Sequence, residues 1–252
     1  MTGRLVRAEF TKLVSTKVWI GLLLGACVLA GGFAALFTGF AGQQGSPAVG
    51  DPLFERQVLS VASNGTVFTI ILGIIGMTQE YRHRTATPTF LTTPRRGQVV
   101  IAKLVAYALV AVPFAAVVCG VTALVAVLYS RGRGAQLSLS GDNLEVLLGA
   151  GAAMVLFAVI GVGLGSLLRN QVGAIVGALV YLFVIENLIG GIPAISSAYK
   201  WLPGGASTAM TAAGFEQGPD LLTAGQGGAL LLAYGVVFAV LGTLFAVRRD
   251  VV

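Results

Sequence analysis

The chain has 252 residues, of which 56% are hydrophobic and only 10% charged, and its mean hydropathy is +0.88. A water-soluble domain covers its surface with about 25% charged residues, so a soluble globular fold is excluded and an integral membrane protein is expected. The formal charge of +6 does not point to nucleic acid, because the cations are spread over loops rather than massed on one polar domain.

Residues 1–17 place Val6, Phe10, Leu13 and Val14 on one helical face, with Arg4, Arg7 and Lys12 elsewhere. This periodicity predicts an amphipathic helix lying on the inner membrane surface. The alternative is an irregular basic tail that serves only topology. No cleaved leader is expected: the basic region is long, contains Glu9, and precedes an apolar run well beyond the usual length of about 7–15 residues.

Six apolar runs follow, at 18–41, 61–78, 104–129, 146–168, 172–193 and 227–247. About 20 residues, each rising 1.5 Å, cross roughly 30 Å of hydrocarbon. The expected fold is therefore all-α, with six transmembrane helices in one transmembrane domain over 1–252. The second run is the shortest and carries Ser63, Asn64, Thr66 and Thr69, so its ends are the least defined. Pro113 in the third run reads more readily as a packing kink than as a hinge, since membrane helices tolerate proline. Gly21 and Gly25, Gly161 and Gly165, and Gly173 and Gly177 have the spacing that lets helices approach closely.

With both termini cytoplasmic, the inner segments hold Arg4, Arg7, Lys12, Lys17, Arg82, Arg84, Arg95, Arg96, Lys103, Arg169, Arg248 and Arg249, twelve cations. The outer segments hold four, Arg56, Arg131, Arg133 and Lys200. That imbalance follows the positive-inside rule and sets the expected orientation in a cell (plasma) membrane. The outer segment 194–226 is weakly charged, carries Tyr199 and Trp201 suited to the membrane interface, and has apolar pieces too short to span. It is expected to form re-entrant or surface helices between the fifth and sixth runs.

Enzyme chemistry finds little support. Cys27 and Cys119 lie within spans and read as packing residues. His83 is the only histidine, so neither a metal cluster nor a base beside Ser166 is expected. Glu186, followed by Asn187, is the only strongly ionisable residue within a span. A carboxyl there is costly and marks a candidate pathway residue. An acidic group at an aqueous vestibule is an equally good account.

Between the second and third runs the sequence is EYRHRTATPTFLTTPRRGQVVIAK, with Arg82, Arg84, Arg95, Arg96 and Lys103. Glu80-Tyr81-Arg82-His83-Arg84-Thr85, then Thr93-Pro94-Arg95-Arg96 and Lys103, resemble the first cytoplasmic loop of ABC-2 type transporter permeases. This chain departs from the family pattern at Arg84, where glycine is usual. The resemblance implies that Glu80, Tyr81, Arg82, His83, Arg84 and Thr85 couple to a separate ATP-binding subunit. Arg95 and Arg96 read instead as contacts to anionic headgroups.

No phosphate-binding loop G-x-x-x-x-G-K-[ST] is present, since Lys12, Lys17, Lys103 and Lys200 each follow a residue other than glycine. The chain is thus expected not to be an enzyme and to bind no cofactor directly; ATP and magnesium would sit on the partner. A second permease half, a copy or a related chain, is also implied, as is export of a drug, lipid or other hydrophobic compound from a bacterial cell. The competing readings are an ATP-independent secondary transporter or channel, and an accessory membrane anchor.

Overall fold

The computed structural model describes residues 2–43, 45–82, 96–211 and 221–248. Within them every regular element is a helix, without strands. A short helix α1 (Thr2–Ser15) leads into α2 (Val18–Phe40), and Lys17 between them adopts a left-handed backbone with φ 55°. A side chain in that region costs about 1–2 kcal/mol, and the turn it permits redirects the chain from the amphipathic helix into the first span.

The second span is longer than its apolar core. Helix α3 (Pro52–Ser60) continues through a 3-10 turn (Val61–Asn64) into α4 (Gly65–Arg82). Asp51 caps α3 by accepting from the Leu53 amide at 2.8 Å, and Pro52 fills the first turn, where its missing N–H is not needed. The start at 52 rather than 61 thus comes from capping chemistry that hydropathy does not register.

Helix α5 (Arg96–Gly132) has 37 residues, about 55 Å at 1.5 Å per residue, and runs through Pro113 without a break. It exceeds the hydrocarbon thickness of about 30 Å, so its first turns extend beyond the 104–129 run read from hydropathy. Helix α6 (Asp142–Leu168) ends at Arg169, also left-handed, and Asn170 caps α7 (Gln171–Val180) by accepting from the Gly173 amide at 3.0 Å. A π turn (Tyr181–Ile185) then joins α7 to α8 (Glu186–Gly191). A 3-10 turn (Ser196–Trp201) and α9 (Pro203–Thr211) precede the last span, α10 (Ala224–Arg248). Among the described residues, six segments are long and apolar enough to cross a membrane: Val18–Phe40, Pro52–Glu80, Gly97–Gly132, Asp142–Leu168, Gln171–Gly191 and Ala224–Phe245.

Helix α6 is the hub, packed against α4, α5 and α10. Its apolar window is 67% buried, against 17% for the fifth span and 22% for the first and sixth, which leaves those three largely open along their flanks. Lipid gives no hydrophobic drive to helix pairing, so close contact must come from small residues. Gly161 and Gly165 supply it: a Cβ on Gly161 would overlap the Ile70 carbonyl of α4, and one on Gly165 would press on Met77 and Ile74. The other two glycine pairs differ. Gly25 meets Phe68 and Gly173 faces its own capping Asn170, whereas Gly21 and Gly177 have open space beside them.

Helix α9 is buried along most of its length between α6 and α10. Its Met210 carbonyl lies where a Cβ on Gly149 of α6 would stand. At one end of the bundle, Arg133 donates to the Thr38 and Gly39 carbonyls at 2.6 and 3.1 Å, and Arg56 pairs with Asp142 at 2.7 Å. The opposite end carries α1, the close of α4 and the opening of α5, and with them a different set of charges.

Candidate functional site

Helix α1 turns Glu9 and Lys12 toward the bundle, three residues apart and so on one face. Glu80 closes the second span, and Lys103 lies about two turns into α5. These four side chains meet. The Lys103 ammonium pairs with Glu9, reaches Glu80 at 2.9 Å and donates to the Gly76 carbonyl at 3.1 Å. Lys12 reaches Glu9 and Glu80, each at 2.8 Å. Lys103 is 0% exposed and the two carboxylates 4% each, while the Lys12 side chain is 41% exposed. The formal charges of these four described groups cancel, and Glu9, Glu80 and Lys103 are sealed from solvent within the chain.

Gly76, whose carbonyl accepts from Lys103, also makes room for the Tyr107 ring, which a Cβ there would overlap. Tyr107, 2% exposed, packs beside the charges from α5. Charges this deep are held only when paired and hydrogen-bonded, because removing a charge from water costs several kcal/mol. For Lys12, burial lowers the ammonium's pKa, but hydrogen bonds to Glu80 and Glu9 and their negative charge outweigh it and hold it above the ordinary lysine value.

Of the loop residues singled out by sequence, Glu80 therefore points into this cluster. The backbones of Tyr81 and Arg82 complete α4, though their side chains fall outside the description. His83, Arg84, Thr85 and Arg95 lie outside the described residues. Lys103, counted by sequence among loop cations, is an interior group. The sequence does not mark this unit, because Glu80 and Lys103 sit on elements other than α1, and only Glu9 and Lys12 share a local spacing.

The second candidate, Glu186, follows the π turn directly. Such turns shift the register of a helix face and frequently occur at functional sites. Glu186 is 2% exposed, and its Oε2 accepts from the Gly204 amide at 2.7 Å, in the first turn of α9. A Cβ at Gly204 would overlap that carboxylate. The Glu186 Oε1 has no hydrogen-bond partner among the described residues. Asn187 folds its amide back on the helix, donating to the Phe183 carbonyl at 2.9 Å. Both residues line a cavity of about 160 Å³ with Asn64, Ser63, Ser207 and Thr208.

A family model described as ABC-2 family transporter protein matches residues 5–185. No curated protein matches the chain. The matched region contains most of α1, the segment 83–95 that follows α4 and all four residues of the charge cluster, and it ends one residue before Glu186.

Proposed function

The chain belongs to the ABC-2 family of transporter proteins, and from that premise we propose that it is the membrane-spanning permease subunit of an ATP-driven exporter. A separate ATP-binding subunit docks at the loop after α4, and a second permease half, a copy or a related chain, completes the pathway. The bundle end carrying α1 and Glu80 faces the cytoplasm, in keeping with the twelve-to-four distribution of cations. Helix α9 enters the opposite leaflet as a re-entrant element, and cargo is a hydrophobic compound.

The observation that carries this reading is the link from Glu80 through Lys103 and Lys12 to Glu9. It ties α1, the foot of α4 and the opening of α5 into one unit at the base of the loop. A push delivered to the loop then moves both flanking spans and α1 together, because buried pairs in a water-poor site resist separation. The loop residues meet the motor, and Glu80 passes the displacement inward. Absence of a phosphate-binding loop supports placing ATP and magnesium on the partner.

The test is purification of the tagged chain from its native membrane, with identification of what accompanies it. A stoichiometric ATPase subunit, lost when His83–Arg84–Thr85 is replaced by Gly-Ser-Gly, is the expected result. A stable chain without any ATPase would favour an ATP-independent carrier or channel.

A further inference from the structure

The cavity beside Glu186 adjoins a second one. An apolar arm of about 360 Å³ lies between α4, α6, α7 and α10, lined by Ile70, Ile160, Leu164, Tyr234 and Phe238. Phe157 and Leu182 line both this arm and the polar arm of about 160 Å³. The two cavities thus adjoin at these side chains as neighbouring branches of one cleft region, one oily and the other set with amides and hydroxyls. Glu186 is the only charged side chain among the described residues lining either branch.

We propose that this cleft binds a monocationic amphiphile, with an ammonium head against Glu186 and a hydrocarbon body in the apolar arm. Capping α9 accounts for only one oxygen of the carboxylate, Oε2 with the Gly204 amide. The other, Oε1, is buried and meets no donor at full hydrogen-bond geometry; the Tyr181 hydroxyl beside the carboxylate is a neutral group and leaves its charge without a counter-ion. An anion in low-dielectric surroundings gains most from a cation brought to it. No lysine, arginine or histidine among the described residues lines the cleft to play that part. Tyr199 and Phe157 in the polar arm add aromatic faces, which attract ammonium ions when within about 6 Å. The polar arm, about 160 Å³, suits a compact head and is too small for a glycan or peptide, while the apolar arm falls within the usual size of ligand pockets. An anionic amphiphile would bring like charge to Glu186.

This deepens the exporter reading and rests on it only for the direction of traffic; binding is read on the permease alone. Purified protein in phosphatidylcholine nanodiscs is titrated with radiolabelled dodecyltrimethylammonium, with partition into empty nanodiscs subtracted. Saturable binding is expected, weakened at least tenfold in Glu186→Gln, which keeps an acceptor for the Gly204 amide. Gly177→Leu, at an open position lining the apolar arm, should weaken the dodecyl probe tenfold and leave tetramethylammonium unchanged. Equal binding of dodecyl sulfate, unchanged affinity in Glu186→Gln, or no saturable binding to the wild type would each overturn the proposal. If Glu186→Gln does not fold, an unchanged dodecyl affinity in Gly177→Leu overturns it equally. Binding retained in a chain that recovers no ATPase subunit would count against the exporter reading alone.

Discussion

Lys103 on α5 and Glu80 at the foot of α4 are 23 positions apart in sequence, yet their charged groups lie 2.9 Å apart in the interior. Lys103 is wholly buried, and the same ammonium also engages Glu9 of α1. One lysine side chain thus joins the amphipathic helix to both spans that flank the loop. Its removal has consequences for stability and for coupling that can be measured apart.

Lys103→Met takes away a cation that both buried carboxylates share. Breaking a buried charge pair by deleting one partner costs about 3–5 kcal/mol. The expected outcome is a lower midpoint in thermal unfolding in mild detergent. Adding Glu9→Gln to Lys103→Met should recover part of the loss, since the strandedcharge is then removed as well. Additive losses in the double variant would show that the two groups do not act together.

Glu80→Ala should abolish ATP-driven transport in reconstituted vesicles while the chain still inserts in the membrane and still recovers its ATPase partner. That combination separates a residue that passes motion inward from one that contacts the motor. Loss of the partner in this variant would instead place Glu80 at the docking surface, and wild-type transport would remove it from coupling altogether.

The Lys12 ammonium has its pKa raised in the folded protein by Glu80 and Glu9, despite burial acting the other way. The sign follows from linkage: the stabilisation is fully present below the ordinary lysine value and fades as pH rises through the raised folded value. Unfolding midpoints of the wild type and Lys12→Met should therefore differ by a constant amount from pH 8 to about pH 10.5, and the gap should narrow only above that, as pH rises through the raised folded value. A gap that stays unchanged well above about pH 10.5 would deny Lys12 a charge-dependent role.

Gly161→Ala places a methyl group against the Ile70 carbonyl, where α6 and α4 cross. Overpacking of this kind costs about 1–3 kcal/mol. Gly21→Ala, which meets open space, should be neutral or slightly stabilising, because alanine is favoured over glycine in a helix by about 1 kcal/mol. Thermal unfolding of the two variants side by side distinguishes a true helix contact from a chance spacing.

The hydrophobic pattern alone determined the class of this protein, the number of its spans and the amphipathic first helix, because the cost of exposing polar backbone to hydrocarbon leaves a long apolar run little choice but to be a helix. It also marked Glu186, since any carboxyl in such a run stands out. The loop motif carried the family resemblance, and the family match agrees with it. What the pattern could not supply was partnership. Gly161 packs against α4 while Gly177 has open space beside it, although both belong to pairs with the same spacing. Lys103 reads as one more loop cation until the fold brings Glu9 and Glu80 to it. Likewise, the Glu186 carboxylate meets the α9 amide and the cleft only after the π turn and the packing of α9 between α6 and α10. Those pairings depend on which helix faces lie together, a three-dimensional outcome of close packing that no local spacing encodes.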